Sequence, residues 1–125
     1  TLHKFKEHYP ATYVLGNPCD VTGSANADDY RFGIQAFMDD PNVDIIMPWF
    51  VFQDDPLEEK IVEVLAEFQR QDKKPILVGA MGGPFTTSIS DRIEQSKVPV
   101  YHSVITWITG AGTLAKWAKI KERTK

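Results

Sequence analysis

The stretch LGNPCDVTGSAN, residues 15–26, concentrates polar and turn-forming side chains directly before a predicted helix. Asn17, Asp20 and Thr22 offer hydrogen-bonding groups, and Gly23 allows a close approach of the backbone. Two interpretations of this loop stay open. The side chains either contact a ligand or, in the case of Asn17 and Asp20, only brace the turn, because Asn and Asp side chains serve both purposes.

A second polar cluster, WFVFQDDP, follows a short apolar run. Asp54 and Asp55 form a carboxylate pair that suits acid–base chemistry or metal binding. Asp55 also precedes Pro56 and lies three residues before Glu58, which is the pattern of a helix N-cap with a capping box. The capping interpretation is favoured for Asp55, whereas the Gln53 amide is free to donate a hydrogen bond to a ligand.

The segment AMGGPF supplies a third candidate. Gly82 and Gly83 follow a predicted buried strand and precede a helix, so their backbone can approach a ligand closely. A tight strand-to-helix turn explains the same residues, because neither a Walker lysine nor a complete G-x-G-x-x-G motif is present. His102 has no acidic neighbour in sequence, and Cys19 fits a small buried side chain better than a nucleophile. No spacing resembles a zinc site.

Composition places these residues in an ordinary globular chain. The 125 residues are 42% hydrophobic and 25% charged, and the net charge is -3. This charge gives no electrostatic basis for binding nucleic acid, and no apolar run reaches the ~20 residues of a membrane-spanning helix. A single cysteine excludes an internal disulfide and fits a reducing compartment. We therefore expect a cytoplasmic protein without nucleic-acid or membrane partners.

Hydrophobic periodicity predicts helices that alternate with short buried strands. Helices are predicted over residues 1–8, 27–40, 56–71, 86–96 and from 104 onward, and strands over 43–47, 75–80 and 98–101. Continuously apolar strands are typical of a parallel sheet covered on both faces. The order α-α-β-α-β-α-β-α therefore predicts an α/β fold, flavodoxin-like or Rossmann-like, with about three parallel strands and flanking helices. Three strands are few, so an open edge beside the first strand predicts an incomplete domain.

Several local features follow from these elements. The buried face of the third helix is expected to consist of Leu57, Ile61, Val64, Leu65 and Phe68, and that of the fourth helix of Ile89 and Ile93. Asn26 or Ser24 is expected to cap the second helix. The aromatic residues of WFVFQDDP are expected to be exposed at the end of the first strand. Gly110 and Gly112 each weaken the last helix by roughly 1 kcal/mol relative to Ala, which predicts a break there. Ligands bind at the carboxyl ends of parallel strands. Three loops therefore matter most, and these are residues 49–55, 81–85 and 102–103.

The segment NPCDVTGSANADDYRFGIQAFMDDPNVDIIM resembles a pattern of the NDP-forming acyl-CoA synthetases, which are related to succinyl-CoA ligase. That pattern is N-P-x-D-x-T-G-x-A, a helix, and then D-P-x-V-D with a strand. KKPILVGAMGG and VPVYHSVITWITGAGTLAKW are similar to the next strand, glycine turn and terminal helix of the family. The resemblance implies that residues 1–125 are a single, partial flavodoxin-type domain, the carboxy-terminal part of an acetate–CoA ligase α-type subunit.

This family makes ATP or GTP and a free acid from acyl-CoA, nucleoside diphosphate and phosphate, through a phosphorylated histidine. That histidine lies in a Ser-His-Thr-Gly-like motif on another domain, and no such motif occurs here, so His102 is not given its role. The resemblance implies that this chain is not catalytic by itself and binds no cofactor alone. Its implied partners are the CoA-binding, phosphohistidine and ATP-grasp domains and a small acyl substrate. CoA, ADP or ATP, and Mg belong to the full enzyme.

The resemblance also implies that this chain forms one wall of the ligase site. The loop after the first strand lies near the acyl substrate, and the following helix points its N-terminus at the phosphate. The family often has Thr-Pro-Gln where this chain has Val51, Phe52 and Gln53, so Gln53 matches. The two acidic residues Asp54 and Asp55 at this helix start depart from the family, and Asp54 repels a phosphate unless a cation or another chain offsets its charge. This departure keeps a second hypothesis open, a non-catalytic ligand-sensing or docking module such as the ligase-like region of some protein acetyltransferases.

The predicted site therefore contains substrate- and phosphate-binding residues, with no catalytic residue and no metal ligand. These residues are Asn17, Asp20, Thr22, Gly23, Phe52, Gln53, Asp54, Asp55, Gly82 and Gly83.

Overall fold

The computed structural model describes residues 1–54, 57 and 59–124. Helices and strands follow one another in the predicted order. They are α1 (Leu2–His8), α2 (Ala27–Asp39), β1 (Trp49–Phe50), α3 (Ile61–Gln71), β2 (Val78–Ala80), α4 (Pro84–Gln95), β3 (Val100–Tyr101) and α5 (Val104–Arg123).

The three strands form one parallel sheet in the order β1-β2-β3. Trp49 pairs with Gly79, and Phe50 pairs with Ala80. The predicted α/β class with a small parallel sheet and flanking helices is confirmed. Among the described residues no strand lies on the outer side of β1, so the chain forms an incomplete α/β domain.

The first strand lies later in the chain than predicted. Residues 43–47 contribute only an isolated bridge between Ile46 and Ile76, and β1 itself is Trp49–Phe50. Pro48 separates the two because it has no N–H group for the ladder, although its carbonyl accepts a hydrogen bond from the Gly79 N–H at 2.9 Å. Trp49 therefore belongs to the strand and not to the loop that follows it.

One face of the sheet packs into the main hydrophobic core. Phe50, Val78 and Ala80 on this face have no exposed surface. The Phe52 ring is also buried and lies 5.4 Å from the Phe50 ring. The expectation of exposed aromatic residues is therefore wrong for Phe50 and Phe52, which pack in the core. The buried stripe predicted for the third helix is confirmed and consists of Leu57, Ile61, Val64, Leu65 and Phe68.

The opposite face of the sheet carries the amino-terminal half of α5. The Trp107 indole N–H donates a hydrogen bond to the Leu77 carbonyl at 2.8 Å, and its ring lies 5.0 Å from that of Trp49. Gly79 leaves room for this pair, because a Cβ there would lie 2.2 Å from the Trp49 ring. The packing of two indoles on one glycine therefore fixes α5 against β1 and β2.

The start of α3 differs from the prediction. The Leu57 N–H donates a hydrogen bond to the Asp54 carbonyl at 3.0 Å, so the chain makes a separate turn, and the helix begins only at Ile61. The predicted cap Asp55, its box partner Glu58 and the intervening Pro56 lie outside the described residues.

Helix α5 is continuous from Val104 to Arg123, so the predicted break at Gly110 and Gly112 is wrong. Gly110 has a packing role, because a Cβ there would lie 2.7 Å from the Tyr101 hydroxyl oxygen. Across the described ranges, no helix combines the length and the apolar character needed to cross a membrane.

Candidate functional site

The loop that follows β1 is joined to the start of α4 at Gln53. The Gln53 Nε2–H group donates a hydrogen bond to the Thr86 hydroxyl at 3.0 Å. Thr86 has no exposed surface, whereas the Gln53 side chain is exposed. A buried hydroxyl thus holds an amide that faces solvent at the carboxyl ends of β1 and β2.

The two glycines of the MGG turn differ in what surrounds them. A Cβ at Gly82 would lie 2.1 Å from the Thr86 hydroxyl oxygen and 2.5 Å from the Gln53 amide nitrogen. At Gly83 no heavy atom of the described chain lies within 4 Å of the corresponding position. Neither glycine has a positive φ. Gly82 therefore makes room for the Gln53 amide, whereas the space beside Gly83 is open.

Helix α4 begins without a side-chain cap. Gly83 is its N-cap residue, Pro84 opens the helix, and the first turn contains no acidic residue. Free N–H groups and the positive end of the helix dipole favour a negatively charged group at such a position.

Helix α2, unlike α4, begins with side-chain caps on its backbone N–H groups. The Asn26 side chain accepts hydrogen bonds from the N–H groups of Asp28 at 2.9 Å and Asp29 at 3.0 Å, and the Asp29 carboxylate accepts one from the Asn26 N–H at 3.0 Å. Asn26, one of the two predicted caps, therefore forms a capping box. The Lys60 ammonium lies 2.9 Å from the Asp28 carboxylate and offsets its charge.

Side chains of loop 17–25 hydrogen-bond largely within the loop itself. The Thr22 N–H donates to the Asp20 carboxylate at 2.8 Å, and the hydroxyls of Thr22 and Ser24 lie 2.9 Å apart. The backbones of Val14 and Asp20 also exchange two hydrogen bonds, each of 2.9 Å. These contacts are those of a braced turn, and the ligand-binding role of this loop stays a prediction.

A groove of about 830 Å³ runs between this loop, helix α2 and the outer edge of β1. Five of the predicted residues line it, and these are Asn17, Asp20, Thr22, Gly23 and Asp54. A Cβ at Gly23 would lie 3.2 Å from the Asp54 carboxylate. Since Asp54 follows Gln53 directly, the loop after β1 contacts Gly23 on one side and Gly82 on the other. The structure thus brings two of the predicted segments, the loop before α2 and the MGG turn, against the third, which is the loop after β1.

The polar lining of this groove is acidic. Burial, followed by the carboxylates of Asp54 and Asp20, raises the pKa of Tyr30 to about 12. The Tyr30 hydroxyl therefore stays protonated and donates to the Trp49 carbonyl at 3.4 Å. No described residue that lines the groove is Lys, Arg or His. The charge in the groove disfavours a phosphate there.

Two further candidates from the sequence have structural partners. The His102 Nδ1 atom lies 3.0 Å from the Ala80 carbonyl oxygen, and because a carbonyl can only accept, the Nδ1–H group donates this hydrogen bond. Burial raises the pKa of the Cys19 thiol, which matches a small packed side chain better than a nucleophile. Within the described ranges no three His, Cys, Asp or Glu side chains converge to hold a metal ion.

Two predicted residues need separate mention. Phe52 is buried in the core, and its contact with a substrate stays a prediction. Asp55 lies outside the described residues.

Thr86 was missed by sequence reasoning, although the sequence contains a signal for it. The buried face of α4 consists of Thr86, Ile89, Ser90 and Ile93, which recur at helical spacing. Only the two isoleucines were expected to face inward. Two small hydroxyl residues on an inward stripe indicate internal hydrogen bonds, and Ser90 donates one to the Thr86 carbonyl at 2.8 Å.

The chain is thus a parallel α/β protein in which strand ends and helix starts lie close together around the loop that follows β1. Sequence relatives show which enzymes contain such a chain. It is 27% identical over 128 residues to the acetate–CoA ligase (ADP-forming) I subunit alpha of Pyrococcus furiosus, covering 99% of this chain and 27% of the relative. It is 26% identical over 127 residues to the acetate–CoA ligase (ADP-forming) I of Archaeoglobus fulgidus, covering 100% of this chain and 18% of the relative. No family model matches the chain.

Solved structures have the same fold as this chain. The dinucleotide-forming acetyl-coenzyme A synthetase 1 of Candidatus Korarchaeum cryptofilum in its apo form gives a TM-score of 0.71 at 23% identity, over 81% of this chain and 22% of that one. The same synthetase in complex with phosphate and ADP gives 0.69 at 24% identity, over 79% and 22%. The predicted resemblance to NDP-forming acyl-CoA synthetases is therefore confirmed, and the chain spans about a quarter of the length of the first relative.

Proposed function

We propose that this chain is the carboxy-terminal, partial α/β domain of an NDP-forming acyl-CoA synthetase and forms one wall of its site for acyl group and phosphate. The complete enzyme converts acyl-CoA, nucleoside diphosphate and phosphate into acid, CoA and nucleoside triphosphate through a phosphohistidine on another domain. One observation carries the proposal for this chain. The start of α4 lacks both a side-chain cap and an acidic residue, and the Gln53 amide is held beside it.

In this proposal the phosphate faces the start of α4. The open space beside Gly83 lets the ligand reach the backbone N–H groups of the first turn. The Gln53 amide has a second N–H that donates to the same ligand. Helix α3 is less suited, because it begins at Ile61, after the separate turn at Leu57. The anion-facing role implied for the helix after the first strand is therefore assigned to α4.

We further propose that other parts of the ligase cover the outer edge of β1. The Ile46 N–H and carbonyl and the Pro48 carbonyl bond toward β2. Backbone N–H and C=O groups of successive residues point to alternate sides of a strand, so Ile45 and Met47 present theirs to the groove, whereas the Trp49 carbonyl already accepts a hydrogen bond from Tyr30. An open strand edge is a template for pairing with another strand. The relatives are several times longer than the matched region, which leaves room in the proposed ligase for a segment at this position.

CoA, the nucleotide and Mg are placed on those other parts. Among the described residues no three His, Cys, Asp or Glu side chains converge, so this proposal places no metal site on this chain. No step of the reaction is therefore assigned to a metal on this chain. The chain works in the cytoplasm in this proposal, in keeping with its single cysteine.

The second candidate function is a ligand-sensing or docking module without catalysis. The groove charge favours it, because Asp20 and Asp54 both line the space that runs along β1. A module of this kind binds a neutral or cationic group in the groove and needs no phosphate at α4.

The experiment is an assay of the full-length ligase with acetyl-CoA, ADP and phosphate, in which ATP formation is followed. We expect Gln53→Ala to raise the KM for phosphate about tenfold or more, because a hydrogen bond to a charged group contributes about 1.5–3 kcal/mol. Gln95→Ala is the matched control, since it removes an exposed amide from the far end of α4. An unchanged KM and kcat for Gln53→Ala remove Gln53 from the site. A wild-type protein that forms no ATP favours the second candidate.

A further inference from the structure

We infer that Thr86 is a positioning residue, whose buried hydroxyl fixes the orientation in which Gln53 presents its amide at the start of α4. The expected effect of Thr86 on phosphate binding rests on the proposed function. The hydrogen bond between Gln53 and Thr86 itself requires no ligand.

The hydrogen bond joins two side chains in very different surroundings. Thr86 has no exposed surface, and its hydroxyl accepts the Gln53 N–H at 3.0 Å. No buried side-chain nitrogen or oxygen in the described part of the chain lacks a hydrogen-bond partner. The loss of Gln53 would therefore leave the Thr86 hydroxyl buried without that partner, which is unfavourable.

The backbone of Gly82 packs directly against the hydrogen bond between Gln53 and Thr86. A Cβ at this position would meet the Thr86 hydroxyl oxygen at 2.1 Å, the Thr86 Cβ at 2.9 Å and the Gln53 nitrogen at 2.5 Å. The turn therefore runs directly against the hydrogen bond and leaves the amide little room to rotate. A larger residue at this position cannot coexist with the observed orientation of Gln53.

The backbone of the Gln53 loop supports this orientation from the other side. The Asp54 N–H donates to the Val51 carbonyl at 3.1 Å, and the Leu57 N–H donates to the Asp54 carbonyl at 3.0 Å. Leu57 is buried in the core, which anchors the end of these two turns. With its Cα fixed by the turns and one amide N–H fixed by Thr86, Gln53 directs its remaining N–H and its Oε1 outward.

A preoriented amide loses less side-chain freedom when it binds a ligand, so binding is tighter than with a mobile amide. Removal of the Thr86 hydroxyl should weaken binding of inorganic phosphate about three- to tenfold, although Thr86 is buried and does not itself face the ligand. Thr86→Val removes the hydroxyl at nearly constant shape, and Thr86→Ser retains it.

The test is NMR spectroscopy of the 15N-labelled full-length ligase, in which the Gln53 side-chain amide signal is assigned from its absence in Gln53→Ala. In the wild type and in Thr86→Ser we expect two well-separated proton shifts and slow exchange with solvent. In Thr86→Val, and independently in Gly82→Ala, we expect random-coil shifts and fast exchange. Backbone spectra and urea unfolding verify that each variant is folded. A Gln53 signal that is unchanged in Thr86→Val overturns the inference.

A titration of the same samples with inorganic phosphate separates this inference from the proposed function. Weaker binding in Thr86→Val, with recovery in Thr86→Ser, supports both. Equal phosphate affinity in the wild type and in Thr86→Val overturns the positioning role. If the wild type shows no phosphate-dependent shifts while the Gln53 signature responds to Thr86→Val, the hold of Thr86 on Gln53 is supported and the phosphate role of this wall is overturned.

Discussion

Helices α2 and α4 both begin beside the loop that follows β1, but their first turns are built in opposite ways. The start of α2 is closed by Asn26 and Asp29, and Lys60 pairs with its remaining carboxylate. The start of α4 has no capping side chain and no acidic residue. Two helix starts at one edge of the sheet therefore differ in their acidic side chains and in their numbers of free N–H groups.

A capped helix start stabilises the protein, whereas an uncapped one is available to bind a ligand. A capping box satisfies backbone donors within the protein and typically stabilises a helix by about 1 kcal/mol, but it leaves nothing for a ligand. An uncapped start forgoes that stabilisation and keeps its donors free. The acidic groove adjoins the closed helix start, and the Gln53 amide adjoins the open one. We therefore expect loss of the cap at α2 to lower stability without changing phosphate binding, and a negative charge added at the start of α4 to change phosphate binding.

The largest expected change in the free energy of unfolding comes from Gly82→Ala. Its Cβ would overlap the Thr86 hydroxyl, and overpacking of this kind costs about 1–3 kcal/mol of unfolding free energy. Gly83→Ala is the matched control, because its Cβ enters open space, and we expect a change within about 0.5 kcal/mol. Urea unfolding measures both variants. Equal destabilisation by the two substitutions would contradict the different surroundings of these glycines.

The next effect is at the closed helix start. Asn26→Ala removes the acceptor for two N–H groups and should lower the unfolding free energy by about 1 kcal/mol. Asn26→Asp retains an acceptor and should be close to the wild type. Hydrogen exchange at the Asp28 and Asp29 amides should speed up in the alanine variant alone. Unchanged exchange at these amides would show that the box contributes nothing.

A smaller effect is expected when α4 receives the cap that it lacks. Gly83→Asn and Gly83→Asp each supply a side-chain acceptor and should raise the unfolding free energy by a few tenths of a kcal/mol. Only the aspartate adds negative charge, so it alone should abolish phosphate binding beyond the steric effect that both share. Calorimetry and phosphate titration of the pair measure the two quantities separately. Identical phosphate affinities for the two variants would exclude an electrostatic role for this helix start.

The smallest effect concerns the other end of α2. Hydrogen bonds from the Thr1 hydroxyl, and then from Asn42, lower the pKa of Asp40 from 3.8 to about 2. Because the folded-state pKa is the lower one, this contribution to stability is complete above about pH 4 and is lost as the pH falls toward 2. Carboxyl 13C NMR should show a midpoint near 2 for Asp40, and Thr1→Val should move it upward. A midpoint at the ordinary value of an Asp carboxyl would contradict these contacts.

Much of this architecture is predictable from the sequence because it depends on patterns among residues that are close together along the chain. Helical apolar spacing identified the stripe that includes Ile61, Leu65 and Phe68, and the polar residue before Ala27 identified the cap of α2. The parallel sheet followed from the alternation of elements. The family resemblance followed from the two quoted motifs.

The remaining features depend on contacts between distant residues. Phe50 and Phe52 are buried in the main core together with residues of α2, α3 and α4, and the apolar run alone does not say where a strand ends beyond Pro48. Gly110 stays within a helix because Tyr101 packs against it. The pairing of Gln53 with Thr86, 33 residues apart, leaves no local sequence signature.

The most direct measurement is a titration of the 15N-labelled full-length ligase with inorganic phosphate, followed at the backbone amides of both helix starts. We predict saturable shifts at Gly83, Phe85 and Thr86 and none at Asp28 or Asp29. The absence of shifts at the start of α4, or equal shifts at the two helix starts, would contradict a phosphate-facing wall at Gln53 and Gly83.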